Sequence, residues 1–214
     1  MTDQGIQNFT IAQLRELAPV IPGVGPFFDR LLARDYEDFL RVLYQDIDSI
    51  IGGFQENPEL LRADGEDRIT SELKRSLRLL GYAATHDEKI GGHSDLVVRG
   101  KVKNYLWIGE AKIHGGYDYL YQGFQQLTTR YSTGDVNQSC GGMLIYIKNN
   151  NAANVVSQWR AHLKDKALDG YSDSNCAERP EHVFYSAHKH ERAGSIFTVK
   201  HIGVILGFDP KDRR

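Results

Sequence analysis

A short, continuously apolar run at residues 142–147 lies between a polar segment and an amphipathic segment, each of which is a predicted helix. Such a run, flanked by helices, is typical of a central strand that is buried on both faces of a sheet. From Asp64 onward the chain reads as helix, three strands, helix, strand, helix and late strands. This order predicts an α/β (α+β) fold in which a mixed central sheet is flanked by helices.

The individual elements follow from periodicity and from turn residues. Ile69, Leu73 and Leu77 recur on one face of the segment 64–81, which predicts an amphipathic helix that stops at Gly81. The remaining predicted helices are 117–131 and 152–168, and the predicted strands are 82–90, 94–98, 105–111, 142–147, 183–187 and 195–206.

The first 63 residues differ from the rest in pattern and in charge. They carry ten acidic and five basic side chains, whereas residues 64–214 carry 18 acidic and 21 basic ones. Helices are predicted at 10–19, with Thr10 as the N-cap, and from Phe27 to about Ile51, ending at the Gly52-Gly53 pair. We therefore predict two regions, a helical assembly or regulatory region (1–63) and a catalytic domain (64–214).

The longer of these helices carries a broad apolar stripe, which must be covered by the rest of the chain, by a second copy or by a regulatory protein. We favour a homodimer or a higher homo-oligomer. The stripe consists of Phe28, Leu32, Phe39, Leu43 and Ile47.

The overall composition excludes several classes of protein. Hydrophobic residues make up 41% of the chain and charged residues 25%, as in ordinary globular proteins. No apolar run approaches the ~20 residues that span a bilayer, and the N-terminus lacks the order of a signal peptide. Two cysteines, Cys140 and Cys176, do not make a disulfide framework. These observations predict a cytoplasmic protein with no membrane partner.

The most informative pattern is a set of charged residues on two neighbouring strands. Glu110 and Lys112 are two positions apart at the end of a predicted strand, so their side chains share one face. A turn between residues 98 and 105 makes the preceding strand an antiparallel neighbour. Folding this hairpin brings Asp95 back toward Glu110. The pattern thus predicts two carboxylates and one ammonium group in one place.

Two adjacent carboxylates repel each other unless a cation neutralises them. Oxygen ligands select a hard divalent ion such as Mg²⁺ or Mn²⁺. Such an ion activates water and stabilises charge on phosphate, and a neighbouring lysine can assist the water or the developing negative charge. Asp95, Glu110 and Lys112 therefore predict a metal-dependent centre for phosphodiester hydrolysis.

These residues, with Ser94-Asp95 followed by Glu110-Ala111-Lys112, resemble the signature of the PD-(D/E)XK nuclease superfamily. Ser94 stands where the signature usually has proline. The resemblance covers residues 64 to about 147. It implies a restriction-endonuclease-like sheet, metal ligands at Asp95 and Glu110, and Mg²⁺-dependent (or Mn²⁺-dependent) cleavage of nucleic acid.

The resemblance also directs attention to the flanking helices. A glutamate on the first core helix often completes the metal site in this superfamily. Glu66 shares the inward face with the apolar residues, whereas Glu72 lies about 240° around the helix, so we favour Glu66. Some branches carry Q-x-x-x-Y on the following helix. Here the spacing from Gln126 to Tyr131 is one residue longer, and Gln126 is predicted to act in the active site or in substrate binding.

Further side chains near the motif could contact nucleic acid. Tyr117, Tyr119 and Tyr121 could either stack on nucleotides or pack against the sheet. His93 and His114 flank the motif, and residues 188–192 predict a basic tip between late strands.

The resulting prediction is a metal-dependent deoxyribonuclease, a DNA endonuclease of restriction, repair or phage (antiviral) defence. The alternative is a catalytically inactive nuclease-fold protein that binds nucleic acid or a protein partner. The sequence leaves open whether the substrate is DNA or RNA.

Overall fold

The computed structural model describes residues 10–86, 88–89, 92–100 and 104–212 of the chain. Predictions that fall on residues 1–9, 87, 90–91, 101–103 and 213–214, including part of the first strand and of the hairpin turn, lie outside the described residues. The chain divides into two compact units, the first ending at Asp46 and the second beginning at Ile47.

The first unit is helical. It contains α1 (Ile11–Glu16), α2 (Val24–Leu31) and the beginning of α3 (Tyr36–Glu56). Thr10 caps α1, as predicted, in a capping box with Gln13. The single helix predicted from Phe27 to Ile51 is wrong. The chain breaks after α2, and the Asp35 carboxylate accepts a hydrogen bond from the Asp38 amide at 2.8 Å, which starts a new helix.

The predicted end of this helix at Gly52-Gly53 is also wrong, because α3 continues to Glu56. Side chains on its last turns contact the last strand of the second unit, Ile196–Ile205. Gln55 accepts a hydrogen bond from the Ile205 amide at 3.0 Å. Such contacts outweigh the low helix propensity of glycine. The end of α3 thus belongs to the second unit, so the compact units divide earlier in the sequence than residue 63.

The second unit is built on a mixed sheet. In the described residues the strands are β1 (Ala83–Thr85), β2 (Glu88–Lys89), β3 (His93–Ser94), β4 (Leu96–Arg99), β5 (Leu106–Ile113), β6 (Cys140–Ile147), β7 (Ser172–Asn175), β8 (Val183–Lys189) and β9 (Ile196–Ile205). The order in the sheet is β1-β4-β5-β6-β9-β8-β7, and β2 and β3 pair separately.

Strand directions confirm the predicted mixed sheet. β5, β6 and β9 are mutually parallel neighbours, whereas β1, β4, β8 and β7 join by antiparallel pairing. β6 is the predicted central strand and is buried almost throughout. The polar edge strand β7 was not predicted, since Ser-Asp-Ser-Asn lacks the apolar alternation that marks a strand.

Helices of the second unit pack against this sheet. These are α4 (Glu66–Leu79), α5 (Tyr117–Gln125), which continues as a π-helix (Gln126–Tyr131), and α6 (Ala152–Asp165); a 3₁₀ turn (Pro58–Leu60) precedes α4. Ile69, Leu73 and Leu77 of α4 are fully buried, as their spacing predicts. Among the helices that the structure describes, none is long and apolar enough to traverse a lipid bilayer.

Candidate active site

The hairpin of β4 and β5 brings Asp95 beside the end of β5. In the antiparallel register Leu96 lies opposite Gly109, so Asp95, one residue earlier, comes level with Glu110. The Asp95 carboxylate accepts a hydrogen bond from the Ala111 amide at 2.9 Å. The predicted approach of the two acidic residues is therefore confirmed, and it is fixed by backbone pairing.

The Lys112 ammonium group lies at the centre of the cluster. Its Nζ is 2.6 Å from an oxygen of Glu110, 3.2 Å from Glu66 and 3.7 Å from Asp95. It also donates to the Ala111 carbonyl at 3.0 Å. One cation thus contacts three carboxylates contributed by α4, β5 and the residue between β3 and β4.

The first turn of α4 supplies the third carboxylate. Glu66 uses both oxygens, because Oε1 contacts Lys112 and Oε2 accepts a hydrogen bond from the Ile113 amide at 2.8 Å. Glu72 instead pairs with Arg68 at 2.7 Å on the outer face of the helix. The structure therefore places Glu66 in the cluster and Glu72 outside it.

Burial makes the charge of Glu110 costly. The residue is 1% exposed, and its Oε2 atom is buried with no hydrogen-bond partner. Burial, together with the neighbouring Asp95 charge, raises the pKa of Glu110 to about 8. For Lys112, burial is the largest single influence and lowers the pKa, but the carboxylates of Glu110, Asp95 and Glu66 together outweigh it, so the net pKa is raised. Glu110 therefore gains from any cation that can reach its second oxygen.

These features test whether a hard cation fits the site. Asp95 and Glu110 offer the oxygen donors that Mg²⁺ and Mn²⁺ prefer, and the unpartnered Oε2 of Glu110 is aimed at no protein donor. In the present arrangement no group of three or more His, Cys, Asp or Glu among the described residues is placed to hold a metal ion. The carboxylates instead contact the Lys112 ammonium group. Asp95 and Glu110 fit a metal by chemistry, and Glu66 is engaged as a partner of Lys112.

Helix α5 closes over the lysine. Its N-cap residue is Gly116, whose φ of 155° favours glycine. Further along, a Cβ atom on Gly123 would lie 2.9 Å from Cγ of Lys112. Glycine at this position therefore lets the helix lie directly against the lysine side chain. No sequence pattern marks Gly123, because only the tertiary contact gives it a role.

The π-helix explains the unusual spacing between Gln126 and Tyr131. These two residues are its ends, and one turn of a π-helix contains one more residue than one turn of an α-helix. The two residues are therefore one helical turn apart despite the longer spacing. Tyr131 is buried, and burial followed by the charges of Glu110 and Asp95 raises its pKa. Gln126 is half-buried and makes no hydrogen bond to the four clustered side chains, all of which the structure describes.

Other predicted contacts are resolved individually. His93 is exposed, and His114 is half-buried with a pKa lowered by burial. Residues 188–192 lead from β8 toward β9, as predicted, but only Lys189, Glu191 and Arg192 are exposed there. His188 and His190 are buried and cannot form part of a basic tip. His190 bonds to Ser132 at 2.9 Å, which is a structural contact.

Comparison of the chain with protein-family models, with curated proteins and with solved structures gives no match. The functional interpretation therefore depends on the geometry of this cluster and on the short motif that forms it.

Proposed function

We propose that this protein is a metal-dependent nuclease of the PD-(D/E)XK type that hydrolyses phosphodiester bonds of nucleic acid. The observation that carries the proposal is the cluster of Asp95, Glu110 and Glu66 around Lys112, with one buried carboxylate oxygen left without a partner. Buried carboxylates with strongly perturbed pKa values are concentrated at functional sites.

When bound by Asp95 and Glu110, Mg²⁺ or Mn²⁺ would supply an activated water molecule and stabilise charge on the phosphate. The protein groups have separate tasks. The Ala111 amide holds Asp95 in place, and the Ile113 amide holds Glu66. Glu66 orients the Lys112 ammonium group, which can donate to the attacking water or to a phosphate oxygen.

We propose DNA as the substrate, cut within the chain, in restriction, repair or phage defence. A homodimer would suit this reaction, because two sites can address the two strands of a duplex. The burial of Phe28, Phe39 and Leu43 within the single chain means that this stripe itself needs no second copy to cover it. Exposed apolar side chains remain on α2, at Phe27 and Leu31, where a second copy could dock.

A second candidate is a nuclease-fold protein that binds nucleic acid without cutting it. The observation in its favour is that the Lys112 ammonium group already contacts all three carboxylates and offsets part of their charge. A protein of this kind would bind DNA equally with and without a divalent ion.

The test is a cleavage assay on plasmid, linear duplex, single-stranded DNA and RNA, each with Mg²⁺, Mn²⁺ or EDTA. Asp95→Asn and Glu110→Gln should each abolish cleavage, because each removes an anionic oxygen while preserving shape. Glu72→Gln is the control, since it removes a carboxylate charge that faces Arg68 on the outer side of α4 and not the cluster.

Metal-dependent cleavage by the wild type and by Glu72→Gln, lost in both site variants, supports the proposal. Normal cleavage by either site variant would contradict the assignment of these residues to the active site. Metal-independent binding without cleavage of any substrate, across a range of protein concentrations, would favour the binding protein instead.

A further inference from the structure

Three tyrosines follow one another at alternate positions in the first turns of α5. Tyr117 is half-buried, with its ring centroid 5.3 Å from that of His114. Tyr121 is also half-buried, and its ring stacks on Phe124 at 6.1 Å. Tyr119 is 44% exposed. Two of the three rings therefore pack within the protein, and one faces solvent.

The exposed ring lies at the candidate active site. The Lys112 Nζ atom is 5.8 Å from the centroid of the Tyr119 ring, within the range of a cation–π contact. Lys112 itself is 8% exposed, so the ring stands on the solvent side of a buried ammonium group. A molecule whose charged group approached Lys112 would pass beside Tyr119.

The position of the ring is fixed by the packing of α5. Tyr119 and Gly123 are four residues apart and therefore share one face of the helix. At Gly123 the helix lies so close to Lys112 that a Cβ atom would be only 2.9 Å from the lysine Cγ. The close contact at Gly123 thus holds Tyr119 beside the cluster.

On the basis of the proposed nuclease activity, we infer that Tyr119 stacks on a nucleobase next to the phosphate that is cut. A base is joined to its phosphate by a single sugar, so a phosphate at Lys112 brings the adjoining base within reach of the ring. Stacking on an exposed aromatic side chain tolerates any base, because every base has a π-face. The base must, however, leave its neighbours in the strand.

This requirement defines the substrate class. Bases inside a continuous duplex are already stacked and paired, and extruding one costs a few kcal/mol. Bases in single strands, flaps and frayed ends lack this cost. The site therefore prefers DNA that presents an unpaired nucleotide at the cleavage position.

The test measures binding separately from cleavage. In an Asp95→Asn background, which is designed to bind without cutting, fluorescence anisotropy gives the affinity for a labelled single strand and for the matched duplex at one salt concentration. Tyr119→Ala should weaken binding of the single strand about 5- to 150-fold, the range for loss of one stacked base. Tyr119→Phe keeps the ring and should bind like the parent.

Two further readouts distinguish stacking from other roles. The salt dependence of binding should be unchanged in Tyr119→Ala, because the number of phosphate contacts is unchanged. A single strand that carries 5-iodouracil should form a photochemical crosslink at Tyr119, located by mass spectrometry. Equal losses for Tyr119→Ala and Tyr119→Phe, equal weakening of single strand and duplex, or a crosslink only elsewhere would each overturn the inference.

Failure of this inference differs from failure of the proposed function. If the wild type cleaves DNA with Mg²⁺ and Tyr119→Ala binds every substrate normally, the stacking role is wrong and the nuclease assignment stands. If the wild type neither binds nor cuts nucleic acid, both are wrong.

Discussion

Two buried lysines of the second unit each lie close to one carboxylate, but the other charges around them differ. Lys112 on β5 lies 2.6 Å from Glu110, and Lys200 on β9 lies 2.6 Å from Asp48 of α3. Both lysines are almost entirely removed from solvent. In each case the carboxylate offsets part of the cost of burying the charge.

The balance of charge around the two lysines is opposite. Asp48 is shared between Lys200 and Arg179, and Arg179 also donates to Gln55 and to the Gly203 carbonyl. Lys112 instead serves three carboxylates, and one buried oxygen of Glu110 has no partner. The charges around Lys200 are balanced, and this cluster connects α3 to the sheet. The cluster around Lys112 has excess negative charge and can accept a further cation. A lysine paired with a carboxylate is therefore not by itself enough to distinguish a structural contact from a reactive one.

The largest expected effect breaks the structural cluster. Asp48→Ala removes the carboxylate that Lys200 contacts and should lower the free energy of unfolding by about 3–5 kcal/mol, the usual cost of breaking a buried pair. Urea titration measures it. Asp169→Ala, which breaks the exposed pair with Lys189, is the control and should change stability by less than about 1 kcal/mol. A similar small change for Asp48→Ala would contradict the structural role.

The next effect concerns chemistry. Lys112→Met should lower the cleavage rate about 10²- to 10³-fold, as expected when a stabilising donor is removed from a transition state. Mn²⁺ binding, measured by calorimetric titration, should persist, because an ammonium group is not a metal ligand and no longer competes for the carboxylates. Complete loss of Mn²⁺ binding would indicate that Lys112 holds the site together instead.

A smaller effect depends on pH. The pKa of Glu110 is raised to about 8 in the folded protein, so without metal its protonation stabilises the fold at low pH. This contribution is lost as the pH rises through about 8, at no more than about 1.4 kcal/mol per pH unit. The Glu110→Gln variant has no titrating group at this position, so its stability does not show this fall with pH.

The stability difference between Glu110→Gln and the wild type should therefore grow in favour of the variant from pH 5 to pH 8 in EDTA. Taking the difference between the two proteins cancels the titration of the histidines. A difference that is constant over this range would show that Glu110 is ionised throughout, in conflict with the burial argument.

The smallest change in stability is expected from substitutions in the first unit, which contains neither lysine cluster. Phe27→Asp combined with Leu31→Asp alters exposed side chains of α2 and should change stability by no more than about 1 kcal/mol. Light scattering should show a dimer for the wild type and a monomer for the double variant. A wild-type monomer at all concentrations would contradict the proposed assembly.

The sequence by itself determined the local parts of the site. The spacing of Glu110 and Lys112 on one strand placed both on one face, and the turn before β5 made Asp95 their neighbour. Helical periodicity separated Glu66 from Glu72. These relations depend on the fixed geometry of strands, hairpins and helices, so they can be read from spacing alone.

Tertiary structure alone decided the rest. Contacts between residues 46 positions apart join Lys112 to Glu66, and contacts 152 positions apart join Lys200 to Asp48. Contacts of the same kind, between distant parts of the chain, stabilise α3 beyond Gly52-Gly53. No periodicity in one segment encodes the partner that another segment supplies, because the energy of such a contact exists only once both surfaces are buried together. Which buried lysine is balanced and which is surrounded by excess negative charge is therefore a property of the folded chain.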